Sequence, residues 1–296
     1  MIDAYLHQSL AFADAIAEYD DASFVIFGAP FDATSSFRTG SKWAPAAIRK
    51  ESYNYENYIS HYDFSIDENL VYDAGDLDLP LNVEVALDIV SGLTRKLYSD
   101  NKLPIMLGGE HSLTIPCVKA AKERYGDDLG VIVLDAHHDL RSEFKGQVFS
   151  HACASYYMIE TVGDKFASIG IRSGNRENYE YAKDNGIMYF SADDVHETGI
   201  DAVIDKIRKY LNCKYIYISL DVDAIDPAYA PGLGTPEPFG LTPWQVRKVL
   251  RSFAPDCIGF DVVEILPEFD FGQTATLGAA LIRDFIAASS TGNRPL

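Results

Sequence analysis

The chain has 296 residues, 47% of them hydrophobic and 23% charged, an ordinary globular composition with enough length for one large core. Its formal net charge of −19 argues against nucleic acid and anionic membranes as partners. No window approaches the roughly 20 apolar residues of a membrane span, so a membrane partner is not expected either.

The opening segment, residues 1–20, has neither a basic region nor a long apolar core, so a secretory signal is not expected. The cysteines Cys117, Cys153, Cys213 and Cys257 are scattered and form no CxxC pair, which points to a reduced cytoplasm. Along the chain, short β-rich apolar runs alternate with helix-length segments. Strands are expected at 23–30, 69–75, 103–109 and 130–136, then at 166–172, 186–190, 215–223 and 257–265. Amphipathic stretches at 82–99, 114–125, 200–211 and 274–288 read as helices. One further helix start is explicit: Thr242 caps it, Pro243 takes the first position and Gln245 completes a capping box.

Several of these strands are apolar on successive residues, as strands covered on both faces are. Strand and helix alternating about eight times imply a mostly parallel sheet with helices on both faces, either open or closed into a barrel. No repeat, low-complexity segment or linker interrupts the sequence, so residues 1–296 read as a single domain.

The polar clusters share a position, each following the C-terminal end of a strand. "LPIML" leads into "GGEHS" with His111, and "GVIVL" into "DAHHD" with Asp135, His137, His138 and Asp139. "YIYISL" leads into "DVDAIDP" with Asp221, Asp223 and Asp226, and "CIGFD" into "VVEILP" with Glu264. The carboxyl edge of a parallel sheet is where ligands bind. In an extended chain alternate side chains share a side, so Asp135, His137 and Asp139 would converge while His138 faces away. Two imidazoles with four carboxylates are too acidic for a structural zinc. They suit Mn²⁺, with aspartates bridging two ions. Asp226, followed by Pro227, reads as a turn former, and His7, His61 and His196 have no supporting neighbours.

With "GAPFDATSSFRTGSKWAPAAIR", "GGEHS", "DAHHDLR", "SHA", "SLDVDAIDPAYAPGLGTPEPFGLT" and "DVVEILP" together, the chain resembles the ureohydrolase family of arginases, agmatinases and related guanidino hydrolases. The resemblance implies a three-layer α/β/α fold around an open, eight-stranded, mostly parallel sheet. It also implies a binuclear manganese centre, two Mn²⁺ per subunit, in a homo-oligomer, trimeric or hexameric. On that resemblance His111 and Asp139 would serve one ion, His137 and Asp223 the other, and Asp135 and Asp221 would bridge them. Two adjacent cations would lower the pKa of a shared water from about 16 towards 7. Glu264 would hold the substrate's guanidinium, Asp139 would protonate the leaving amine, and His151 would shuttle protons between site and solvent. Glu110 departs from the aspartate common in the family, at a position outside the ligand set.

Arginases carry an Asn after the DxHxD motif and aspartates in a later loop; this chain has Arg141, Ser173 and Asn175 there. "DLR", "SHA" and "IGIRSG" are similar to agmatinases, implying agmatine plus water giving putrescine plus urea. Glu160, Glu177 and Glu180 are candidates for the distal ammonium. The rival within the family is guanidinobutyrate or another guanidino acid, with Arg141 as carboxylate clamp; arginase ranks below both. Phe239 stands where agmatinases more usually have Gly. Outside the family, a single-zinc deacylase and a noncatalytic metal-binding protein are the alternatives.

Overall fold

The computed structural model describes residues 5–7, 10–67 and 70–292, which leaves Asn69 of the second expected strand and part of the 1–20 segment outside. Its strands are Leu6–His7 (β1), Phe24–Gly28 (β2), the small hairpin Tyr58–Ile59 (β3) and Phe64–Ser65 (β4), Val71–Leu77 (β5) and Leu103–Leu107 (β6). Leu129–Leu134 (β7), Phe166–Ile171 (β8), Met188–Ser191 (β9), Tyr215–Asp221 (β10) and Cys257–Val263 (β11) follow. Apart from the hairpin they form one open sheet in the order β1-β5-β2-β6-β11-β10-β7-β8-β9.

All eight expected strands are present and pair in parallel. The expected eight-stranded sheet is corrected to nine strands. The addition, β1, runs antiparallel along the edge of β5, pairing Leu6 with Leu77 and His7 with Asp76. A two-residue strand carries no periodicity of its own and is defined only by its partner, so local pattern could not reveal it.

Successive strand residues divide between two apolar layers, which explains the unbroken hydrophobic runs. Ile132, Leu134, Ile218 and Leu220 pack into one core, beneath the helices Ala44–Ser52, Ala192–Thr198, Ile200–Leu211, Pro243–Phe253 and Gln273–Thr291. Val131, Val133 and Tyr217 pack into the other, beneath Val83–Ser99, Thr114–Tyr125 and Ala154–Val162. The result is the expected three-layer sandwich. The capping box at Thr242 is formed, its hydroxyl accepting from Gln245 N while Gln245 Oε1 accepts from Thr242 N at 2.8 Å.

Arg49 is wholly enclosed. Arg49 donates to both oxygens of Asp73 at 2.8 Å and to Asp76 and the Gly75 carbonyl, tying the Ala44–Ser52 helix to β5. Removing one member of such a buried set costs about 3–5 kcal/mol, because the other charge is left unpaired.

Candidate metal centre

The four strands that deliver the polar clusters, β6, β11, β10 and β7, are consecutive neighbours in the centre of the sheet. Because they run parallel, their carboxyl ends open onto one place. The turn carrying His111 is held there by backbone. Glu110 N donates to Phe31 O at 2.9 Å and Glu264 N to Gly109 O at 2.8 Å. A Cβ on Gly109 would lie 1.9 Å from Phe31 O, so only glycine lets the loops approach this closely.

His111 Nδ1 faces three carboxylates: Asp135 Oδ2 at 3.2 Å, Asp221 Oδ2 at 3.3 Å and Asp139 Oδ2 at 3.4 Å. His137 Nδ1 faces Asp223 Oδ2 at 2.9 Å and Asp135 Oδ1 at 3.6 Å. Asp135 thus turns one oxygen to each histidine. Two groups that could each hold an ion result, His111–Asp135–Asp221 and Asp135–His137–Asp223, each with its donor atoms within 4.8 Å of one another. The second oxygen of Asp221 accepts from Asp223 N at 2.9 Å. Asp139 (φ 48°) and Glu264 (φ 65°) both sit in the left-handed region, where non-glycine residues cost about 1–3 kcal/mol and cluster at functional sites.

Electrostatics and hydrogen bonding bear on what this arrangement could hold. Burial, then repulsion from Asp223 and Asp135, drives Asp221 well above the carboxylate range. Burial followed by Asp139 and Asp223 raises Asp135 as well. Burial opposes the charged form of His111, but the facing carboxylates of Asp135, Asp139 and Asp221 outweigh it and raise the imidazole's pKa. The cluster therefore requires positive charge among its acids. His111 Nδ1 and Asp135 Oδ2 are buried without a hydrogen-bond partner, as donor atoms turned towards an ion would be. Nitrogen and oxygen donors in this ratio suit Mn²⁺ or a similar divalent ion.

The other nitrogen of His111 is fixed from below. Its Nε2 lies 3.1 Å from Ser219 Oγ, which donates to Asp261 Oδ1 at 2.6 Å, and Tyr217 donates to Asp261 Oδ2 at 2.7 Å. Beyond His137, Glu237 Oε1 approaches Nε2 at 3.7 Å and accepts from Ser173 Oγ at 2.8 Å. Sequence reasoning missed Ser219, Asp261 and Glu237. A signal existed for two of them: Ser219 shares a strand face with Asp221, and Asp261 is a lone acid within an apolar strand. Glu237, in a loop, gave none.

His138 faces away from the acids, edge-on to Tyr179 and Tyr189 at 4.5 and 4.7 Å. Burial pushes its pKa down to about 4, so it is a neutral packing residue. Asp226 accepts from Ala228 N and Gly240 N at 2.8 and 2.9 Å, a loop tie as expected. A cavity of about 270 Å³ opens over the centre, lined in part by Asp139, Arg141, His151, Asn175 and Glu264. Glu264 Oε1 accepts from His111 N at 2.9 Å. Burial and then Glu110 push the Glu264 carboxyl up to about 8. The Arg141 guanidinium lies 4.6 Å over the Phe144 ring. None of Glu160, Glu177 and Glu180 lines this cavity: Glu160 borders a separate one beside Tyr181, and Glu177 accepts from Asn175 Nδ2.

The sequence pattern of the Arginase family matches residues 22–288. An agmatinase of Pyrococcus horikoshii is 35% identical over 290 residues, 97% of this chain and 98% of that one. The N(1)-aminopropylagmatine ureohydrolase of Thermococcus kodakarensis is 32% identical over 98% of this chain and 99% of its own length. Among solved structures, the agmatine ureohydrolase of Thermoplasma volcanium superposes with a TM-score of 0.91 at 39% identity, covering 96% of each chain. Among the described residues no helix is long and apolar enough to cross a membrane.

Proposed function

This chain belongs to the arginase family and is an agmatinase-like ureohydrolase, and on that premise we propose that it cleaves agmatine with water to putrescine and urea, using two Mn²⁺ ions. The observation that carries the reading is Asp135, shared between two histidine–carboxylate groups beside a cavity that Glu264 also faces. The deacylase and noncatalytic readings do not survive the family assignment. His111, Asp135, His137, Asp139, Asp221 and Asp223 would hold the ions. When bound, two such ions make hydroxide available from water near neutral pH.

The chain's own groups do the rest. Guanidinium stays cationic below pH ~12, and a carboxylate can receive its planar fork through paired hydrogen bonds. Glu264 is that carboxylate: fixed by His111 N, it sets the guanidinium carbon at one place in the cavity. Asp139, in the same cavity, is the group that passes a proton to the departing amine. His151 borders the cavity and exchanges protons with solvent.

Arg141 favours a second reading. A guanidinium at the cavity lining would clamp the carboxylate of 4-guanidinobutyrate, whereas for agmatine its place over Phe144 makes it structural. Urea release by the manganese-loaded enzyme from agmatine, arginine, 4-guanidinobutyrate and N(1)-aminopropylagmatine at matched concentrations decides between them. Preference for agmatine is the expected result. Preference for guanidinobutyrate would make Arg141 the specificity residue.

A further inference from the structure

His151 rests on a hydroxyl whose proton is already committed. Thr34 Oγ1 accepts from His151 N at 2.9 Å and lies 3.2 Å from His151 Nδ1. That same hydroxyl donates to Glu110 Oε1 at 2.5 Å, while Thr34 N donates to Glu110 Oε2 at 2.7 Å. Ser112 Oγ gives Glu110 a third donor at 2.6 Å. Glu110 is fully buried, and a buried carboxyl facing three donors acts as an acceptor. Thr34 therefore has only lone pairs to offer the imidazole, and a hydrogen bond between them needs the hydrogen on Nδ1. Ser150 Oγ accepts from Ala152 N and lies 3.3 Å from Nδ1; its hydroxyl hydrogen competes for that nitrogen from a slightly longer distance than Thr34. Nε2 is left as the basic nitrogen, 3.1 Å from Ser36 Oγ, and Ser36 lines the substrate cavity.

We infer that Glu110 and Thr34 are positioning residues that hold His151 as its Nδ1–H tautomer, so that basic Nε2 serves the cavity through Ser36. A proton arriving from the cavity side binds Nε2 and gives an imidazolium. Its new charge faces the Glu110 carboxylate across the Thr34 hydroxyl. Release of the proton from Nε2 restores the starting tautomer, so every exchange uses the same nitrogen. In the opposite tautomer Nε2 would already hold a hydrogen, and the cavity would lose its acceptor. The inference rests on the proposed role of His151 for its use in turnover, but not for the tautomer itself.

The test is ¹⁵N-histidine NMR of the full-length, zinc-loaded enzyme, with His151 assigned from His151→Asn. Wild type should show a protonated Nδ1 and a bare Nε2. Thr34→Ser should keep that pattern, and Thr34→Val should lose it. Thr34→Val should also lower kcat for urea release by about tenfold to a hundredfold, within the range a positioned acid–base group supplies, with KM and metal content unchanged. Glu110→Gln is the independent arm. With the amide oxygen kept on Thr34 N, the amide nitrogen donates to Thr34 Oγ1, the hydroxyl turns towards Nδ1, and the tautomer should invert. An Nε2–H signal in wild type, or a Glu110→Gln spectrum identical to wild type, overturns the inference. Full turnover in His151→Asn with the expected spectra would instead remove the proposed role of His151 and leave the tautomer assignment standing.

Discussion

His111 and His137 face the same aspartate, yet they are supported in different ways. The His111 side chain is 1% exposed and that of His137 23%. Under His111 the support is the sheet itself: Ser219 and Tyr217 on β10, with Asp261 on the adjoining β11. Around His137 it is loops. Glu237 and Ser173 lie beside the ring, and Thr235 donates to Asp223 Oδ2 at 3.3 Å. Arg172 ties those loops together through carbonyls alone, donating to Asp223 O at 2.7 Å and Glu237 O at 2.6 Å, and also to Gly170, Ala224 and Pro238. No carboxylate pairs with it in these bonds, and burial lowers its pKa. A ligand braced on strands is held more tightly in place than one braced on loops. One half of the centre is therefore set by the fold, and the other by the conformation of three loops.

The largest effect should come from the residue that belongs to both halves. Asp135→Ala removes an oxygen from each ligand group, so both ions should be lost in equilibrium dialysis. Urea release should fall by about a thousandfold or more, the scale of losing charge stabilisation at a reacting centre. Retention of one tightly bound ion would show that the halves are independent and not joined through Asp135.

The next effects separate the halves. Ser219→Ala leaves His111 Nε2 without its hydroxyl and frees the ring to turn. Loss of such a supporting contact lowers metal affinity about 10–100-fold. One of the two ions should weaken while the other keeps its affinity. Glu237→Gln addresses the other half and should cost less, about tenfold, because its 3.7 Å approach to His137 is longer than a direct hydrogen bond. Isothermal titration of the metal-free variants reads both changes. If Glu237→Gln weakened the metal more than Ser219→Ala, the contrast between sheet-braced and loop-braced halves would be reversed.

The same contrast governed what the sequence disclosed. Strand-borne features were legible because they are local and periodic: eight apolar runs, the acids at their ends, and the alternation that turned His138 away from Asp135 and His137. Ser219 and Asp261 were readable in principle, since each sits on a strand whose facing follows from period two. The loop-borne features were not. Glu237 lies beside His137 in a loop whose carbonyl is held by Arg172, 65 residues away in sequence. The link from Glu110 through Thr34 to His151 spans 76 and then 117 residues. Charge alone could not place Glu160, Glu177 and Glu180, the candidates for the distal amine, and none of them lines the cavity. Strand β1 was invisible for a related reason, being created by its partner.

Phe239 offers the smallest and most discriminating test of the loop-braced half. It lies in the left-handed region (φ 65°) with 80% of its surface exposed, so burial cannot compensate for its strained backbone. An L-residue with a Cβ in that region costs about 1–2 kcal/mol, which Phe239→Gly should largely recover, less the extra freedom glycine gains in the unfolded chain. The expected gain, about 1 kcal/mol, would raise the melting temperature by about 2 °C for a chain of this size. The neighbouring Gly240 has no such latitude, since a Cβ there would lie 2.6 Å from Arg172 Nη2 and from Asp226 N. The loop is thus pinned on one side of Phe239 and strained at it. If Phe239→Gly stabilises the fold and leaves both metal affinities unchanged, Arg172 alone defines the loop and the strain plays no part in the centre. If the variant is more stable but binds one ion more weakly, the strained residue is what keeps Glu237 against His137.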